Sequence, residues 1–282
     1  MKRCNRIIVR LSLSIALLAA SITHSANIIF DLGGVLIETD TIASFWHSGP
    51  INWFYYLANF NNPRSVRDTL YNFLNAVYPH ENNALAVYDE TGRRMPQLIC
   101  DWLTGHYTYA NIRCNIQDVL SYYFNDYSEQ VLFDSVTQMM FEPNTFAKTR
   151  RFIGEGIMFV RECITQGHNV YILSNWDPES FKLLKKIYPE FFILFDGKVI
   201  SGKVGYNKPH HNIYLNLLEK YDLEPAECIF IDDQPENITA ARELGIHGII
   251  CPQKSLLFST RPNFDIVRNE IRAWQTLKNK TL

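Results

Sequence analysis

Apolar and polar positions fall into two regimes along this chain. Ile28–Phe30, Val170–Leu173, Cys228–Ile231 and Gly248–Cys251 are short unbroken apolar runs rich in Ile, Val, Phe and Tyr. Runs of this length and composition predict interior strands buried on both faces, the pattern of a parallel sheet. Phe191–Phe195, ahead of the turn signal Asp196-Gly197, predicts a fifth strand. Between the runs the spacing turns helical. Asn144 is placed to cap a helix over 145–166 that Gly167 stops. Asp177-Pro178 opens another, Pro209 opens a third reaching Tyr221, and Pro235 opens a fourth ended by Gly245. A last helix is expected over 264–277. Strand and helix in alternation predict an α/β fold, a doubly wound parallel five-strand core of Rossmann-like type.

The stretch 40–143 breaks this rhythm, with helix-like segments and no convincing strand pair. It reads as a helical cap inserted after the first strand, leaving 27–39 and 144–282 as the core. Emerging at the end of strand one, such an insertion sits over the carboxyl edge of the sheet as a lid. Its aromatic cluster, Phe45, Trp46, Trp53, Phe54, Tyr55 and Tyr56, is expected to pack within and beneath the cap. Arg93, Arg94 and His106 read as solvated surface.

Residues 1–26 have a different character. Lys2, Arg3, Arg6 and Arg10 precede an apolar run, Leu11–Ile22, and small or polar residues lead to Ala26. This is the layout of a secretory signal peptide, with a cut after Ser25 or Ala26, and predicts an exported protein, periplasmic or secreted. The alternative is an uncleaved or misassigned start and a cytoplasmic protein. The run is too short to span a bilayer as an ordinary helix, so no stable membrane association is expected after cleavage. A net charge of −2 gives no basic excess for nucleic acid. Of six cysteines, Cys4 leaves with the signal. Cys228 and Cys251 border strands and read as core; Cys100 and Cys114 are a possible pair.

In open parallel sheets, ligands bind beyond the carboxyl ends of the strands. The first run is followed by Asp31, the second by Ser174 and Asn175, the third by Asp232 and Asp233, and Lys208 precedes a proline-started helix. Any one of these is more often a turn residue or a helix cap than a catalyst. Together they bring a nucleophilic carboxylate, a hydroxyl, a cation and an acidic pair to one edge. An aspartate there can attack phosphorus, carboxylates from two strands can hold Mg²⁺, and Ser174 and Lys208 can bind phosphate. Gly33 and Gly34 let the backbone turn tightly around an anion. His210-His211, on a first helical turn, lacks the carboxylate spacing of a metal site.

These residues resemble the haloacid dehalogenase superfamily. The motifs are Phe30-Asp31-Leu32-Gly33-Gly34-Val35-Leu36, then Leu173-Ser174-Asn175, then Lys208-Pro209 with Ile213-Tyr214, then Ile231-Asp232-Asp233 continuing to Leu244-Gly245. The resemblance implies Asp31 as nucleophile and Lys208 as its catalytic partner, with Ser174, Asn175 and Lys208 on the phosphate. It implies Mg²⁺ held by Asp31, the Gly33 carbonyl and Asp233, with Asp232 a direct or indirect ligand. It further implies a phosphatase acting on a small, sugar-type phosphate through a covalent aspartyl-phosphate. One departure stands out. Most phosphatases of this superfamily carry a second aspartate, the general acid and base, where this chain has Gly33; a branch similar to sugar-phosphate phosphatases shares the Phe-Asp-Leu-Gly pattern. Two alternatives stay open: a non-catalytic phospho-ligand binder, and a metal-independent 2-haloacid dehalogenase.

Overall fold

In the computed structural model, residues 25–281 are described apart from 60, 80–85, 90 and 256–259. The proposed signal peptide therefore lies almost wholly outside the described residues. Five strands build the sheet: β1 (Asn27–Phe30), β4 (Asn169–Ser174), β5 (Gly197–Ile200), β6 (Cys228–Asp232) and β7 (His247–Ile250). They run in the order β5-β4-β1-β6-β7, and every neighbouring pair is parallel. β1 lies at the centre, hydrogen-bonded on both sides, which is why its run is apolar without alternation.

The two-residue period of a strand sends alternate side chains to opposite layers. Ile28, Phe30, Val170, Ile172, Ile229 and Ile231 share one cluster with Phe159, Val160, Phe264 and Ile271, so helices Gly154–Thr165 and Phe264–Thr281 cover that face. Ile29, Tyr171, Leu173 and Phe230 point the other way, onto Ile213, Leu217, Ile238 and Ala241 of helices His211–Tyr221 and Pro235–Glu243. This is the doubly wound α/β arrangement expected.

Two expected elements are different in the structure. Phe191–Phe195 is not a strand: Pro189 starts a short helix, Pro189–Phe192, and Phe191, Phe192 and Phe195 turn into the core. The fifth strand is the next segment, β5, registered on β4 from Tyr171↔Gly197 to Ser174↔Ile200. The helix expected over 145–166 is two helices, Pro143–Lys148 and Gly154–Thr165, separated by β3 (Arg150–Phe152). β3 pairs antiparallel with β2 (Ile37–Thr39), far away in sequence. The first of these helices is capped by Glu142, which accepts from the backbone N–H of Asn144 and Thr145, rather than by Asn144. Gly167, at φ 85°, closes the second as expected.

Residues 41–141 contain helices Thr41–His47, Pro50–Ala58, Val66–Val77, Gln97–Leu103, Tyr109–Tyr123 and Tyr127–Phe141. They enclose a separate core of Phe73, Trp102, Ile112, Leu132, Phe133 and Phe141. The aromatic cluster at its start is mostly on the surface: Phe45, Trp46, Phe54 and Tyr55 are exposed, and only Tyr56 is fully buried. The apolar stripe of these two short helices is too wide for one buried face. Phe146 links the two cores, its ring meeting Trp102 of the insertion and Trp176 of the sheet side. The five described cysteines are free thiols, Cys100 and Cys114 included. Among the described residues, no helix is long and apolar enough to cross a membrane.

Candidate active site

β1, β4 and β6 end side by side, and their last residues deliver the chemistry. Asp31 follows β1, and its N–H donates to the Ile231 carbonyl of β6 at 2.9 Å, which fixes the loop to the sheet edge. Its Oδ1 accepts the N–H of Leu32 at 2.7 Å. Lys208, 1% exposed, comes from the loop before helix His211–Tyr221. Its ammonium lies 2.8 Å from Asp31 Oδ1 and 2.6 Å from Asp232 Oδ2. One buried cation thus bridges the ends of two adjacent strands.

Asp232 is fully buried and heavily engaged. Besides Lys208 it accepts from the Gln234 N–H at 2.8 Å and from Asn237 Nδ2 on both oxygens, at 3.1 and 3.0 Å. Asp233, half-buried, lies against the loop after β1, so close that a Cβ on Gly34 would run into its carboxylate. Gly34 has φ 69°, and its carbonyl accepts from Gln253 Nε2 at 2.8 Å. Gly33 is different: a Cβ there would meet nothing within 4 Å. The position without a second aspartate is open space.

The electrostatics follow from crowding three carboxylates around one lysine. Burial pushes the Asp31 carboxyl up to about 6, with Asp232 adding to the rise, while Lys208 and the Ser174 hydroxyl work against it. Burial and the repulsion of Asp232 and Asp31 push Asp233 up to about 8. Burial works against the Lys208 charge, but Asp232 and Asp31 outweigh it and raise its pKa. The cluster holds more negative charge than Lys208 neutralises. One oxygen each from Asp31, Asp232 and Asp233 lie within 4.8 Å of one another. Octahedral Mg²⁺ holds oxygens at about 2.0–2.1 Å, hence roughly 2.9–4.1 Å apart. The donor set and its surplus charge therefore fit a small divalent cation.

The structure thus brings Asp31, Ser174, Lys208, Asp232 and Asp233 to one edge. Asn175 is there too, but its amide faces the Lys208 main chain: Oδ1 accepts from Lys208 N at 2.7 Å, and Nδ2 donates to Lys208 O at 3.0 Å. Trp176 turns into the packing, its indole N–H donating to Ser180. His211 pairs with Glu243 on the surface, and Arg93 with Asp68. Asn237 lies within the fourth motif, but its bracing of Asp232 was not foreseen, and Asn207 was not singled out by sequence reasoning. Polar residues of a helical first turn or a loop carry no local mark that separates a buried brace from a solvated side chain.

The family model of the haloacid dehalogenase-like hydrolases matches residues 153–245, the span that supplies Ser174, Lys208, Asp232 and Asp233. Over that span this chain is similar to the family. Two curated relatives match in part. A sesquiterpene phosphatase of Aspergillus oryzae is 37% identical over 90 residues, 32% of this chain and 45% of that protein. A flavin mononucleotide hydrolase of Arabidopsis thaliana is 28% identical over 122 residues, 38% of this chain and 49% of that protein. The matches thus span about half the length of these relatives. Among solved structures, a family enzyme of Bacteroides thetaiotaomicron, in complex with magnesium and inorganic phosphate, superposes with a TM-score of 0.53 at 18% identity, covering 83% of this chain and 98% of that one. A family hydrolase of Porphyromonas gingivalis gives 0.53 at 21%, covering 88% and 98%. At these identities the structures establish the fold.

Proposed function

We propose that this protein is a Mg²⁺-dependent phosphatase that hydrolyses the phosphate monoester of a small organic alcohol through a covalent phosphoryl-Asp31. The observation that carries this reading is the Lys208 ammonium held between Asp31 and Asp232 beside the carboxylate of Asp233. Asp31 is the nucleophile: one of its oxygens bonds to phosphorus as the ester oxygen departs with the electron pair. Water then attacks the phosphorus of the acyl phosphate, releasing inorganic phosphate and restoring Asp31. Lys208 offsets the charge of the nucleophile and of the transferring phosphoryl group, and Ser174 donates to a phosphate oxygen. Asp31, Asp233 and the Gly33 carbonyl would hold Mg²⁺, with Asp232 directing Lys208 and sharing in the cluster's charge. When bound, the cation would neutralise phosphate oxygens and lower the Asp31 pKa.

The resemblance to sugar-phosphate phosphatases suggests a sugar-type ester, and the names of the relatives suggest other alcohols; the shared chemistry is a single phosphate ester. With Gly33 in the acid's usual place, the departing oxygen draws its proton from water or from a residue of the cap. This favours esters with good leaving groups. The reading includes 40–143 as a substrate-covering cap, 27–39 and 144–282 as the catalytic core, and export through a signal over 1–26.

The test is phosphate release from a panel of small phosphate esters, with and without Mg²⁺, beside Asp31→Asn. Mg²⁺-dependent release lost in the variant supports the reading. Failure to release phosphate from any ester sinks it in favour of a phospho-ligand binder, for which Gly33 is the argument. Metal-independent chloride release from a 2-haloacid would instead favour a dehalogenase, in which the three-carboxylate cluster has no purpose.

A further inference from the structure

Lys208 belongs to no regular element. It lies between the short helix Ser201–Val204 and helix His211–Tyr221, and its ammonium must reach two carboxylates at once. Such a group keeps its place only if its main chain is held. Asn175 of the sheet edge holds it from one side by the paired bonds to Lys208 N and O. The other hold comes from the insertion. Asn207 is 7% exposed, and its Nδ2 donates to the Cys100 carbonyl of helix Gln97–Leu103 at 2.9 Å. The same helix is tied again where Ser201 Oγ donates to the Leu103 carbonyl at 2.6 Å. Just beyond its end, Gly105 approaches the Gly202 backbone so closely that a Cβ would lie 2.9 Å from the Gly202 carbonyl oxygen.

We propose that Asn207 is a positioning residue through which the helical insertion sets the seat of Lys208. Asn207 and Lys208 share one planar peptide unit, so a shift of the Asn207 anchor is passed to Lys208 with little loss. The Asn207 Oδ1 is buried and has no hydrogen-bond partner among the described residues. A buried acceptor left unpaired costs stability, and the Cys100 carbonyl keeps the Thr104 N–H at 3.0 Å without Asn207, so an apolar residue filling the same space would cost little. The asparagine is thus explained by its directional donor rather than by packing. Its effect on turnover rests on the phosphatase reading; its effect on the Lys208 loop does not.

The experiment compares wild type, Asn207→Leu and Asn207→Gln in the full chain. It reads three quantities: thermal midpoint, amide hydrogen exchange over 205–210 and 97–103, and kcat and KM for Mg²⁺-dependent hydrolysis of p-nitrophenyl phosphate. The leucine variant is expected to fold with a thermal midpoint close to that of wild type. Exchange over 205–210 should rise while the β1 and β6 strands stay protected. The kcat should fall by about tenfold or more with KM little changed, because a displaced group loses effectiveness mainly at the transition state. Asn207→Gln, which keeps the donor, should recover part of the loss. Unchanged exchange in the leucine variant overturns the proposal whatever the activity, as does looser exchange with an unchanged kcat. A leucine variant that fails to fold cooperatively also overturns it, by assigning Asn207 to the stability of the seam. If wild type hydrolyses nothing, the phosphatase reading has failed, and the exchange arm alone decides the role of Asn207.

Discussion

Lys208 and Asp31 meet through a 2.8 Å contact between Nζ and Oδ1, with both side chains withdrawn from solvent. Removing either partner should break activity, but the two changes should move stability in opposite directions. Lys208→Ala leaves Asp31 and Asp232 buried without their cation, and loss of one partner of a buried pair costs about 3–5 kcal/mol. Asp31→Asn removes a carboxylate that burial and Asp232 already disfavour, so the melting temperature should hold or rise while turnover vanishes. Thermal unfolding of both variants without metal checks the signs. Retained turnover in Asp31→Asn would end the nucleophile assignment.

Gly33→Asp should raise turnover on esters with poor leaving groups. The new side chain enters open space and needs no unusual backbone, since Gly33 is not among the glycines at positive φ. A general acid supplies roughly 10²–10⁴-fold, and an aspartate grafted without its supporting contacts should recover at least the lower part of that range. Across a series of aryl phosphates, the wild-type rate should fall steeply with leaving-group pKa and the variant's more gently. Equal slopes would place proton donation elsewhere. Gly34→Ala, by contrast, drives a methyl into the Asp233 carboxylate from a left-handed backbone and should weaken Mg²⁺ binding.

Protons and Mg²⁺ should compete for the acidic cluster. Asp233 is pushed up to about 8 and Asp31 to about 6, against an unfolded aspartate near about 3.9. A carboxyl whose folded pKa is raised contributes stability that is full below the unfolded pKa and is lost as pH rises through the folded value. Without metal, this contribution should therefore decline between pH 4 and 8, a window set by those two shifts. The effect is read as the difference in melting temperature between wild type and Asp233→Asn, which cancels groups such as His247 whose shift runs the other way. Added Mg²⁺ should reverse the trend, binding more tightly at pH 8 than at pH 6 and releasing protons measurable by calorimetry. A pH-independent affinity would remove these carboxylates from the binding site.

A chain starting at Asn27 should be less stable than one starting at Ser25. Ala26 is already buried, its N–H donates to His168 Nδ1 at 3.0 Å, and its carbonyl accepts from Asn169 N at 3.2 Å. Ser25 Oγ adds a bond to the Gly167 carbonyl. Three hydrogen bonds are lost, and the two made by the buried Ala26 alone imply about 1–3 kcal/mol, read by chemical denaturation of the two chains. Equal midpoints would show that the sheet does not need these residues.

Much of the fold can be read locally because a parallel strand covered by helices on both faces is apolar on both, whether central or, like β7, at the edge. The runs at Ile28, Val170, Cys228 and Gly248 therefore stand out unaided. The edge strand β5 does not, since Lys198 interrupts it and turns back to the Phe195 carbonyl. The five apolar and aromatic residues just before it imitate a strand while packing as a helix and turn. β3 was lost inside a predicted helix because its partner lies at Ile37–Thr39, and no local pattern encodes so distant a pairing. In the site, the residues at strand ends were legible from position alone. Asn207 was not, because its role depends on Cys100, 107 residues away in sequence, which only the folded chain brings within reach.

The β2–β3 ribbon gives the molecule a seam at which it can be edited. Thr39 and Arg150 face each other across it, so the chain leaves the sheet domain and returns at almost the same point. A short turn in place of 40–149 would close the gap without rerouting any strand of the five-strand sheet. The shortened protein would keep Asp31, Ser174, Lys208, Asp232 and Asp233 on their own elements while losing the Cys100 anchor of Asn207. Nature or a designer can thus exchange the upper half as a cartridge, and each new one must bring its own grip on the loop that carries the lysine.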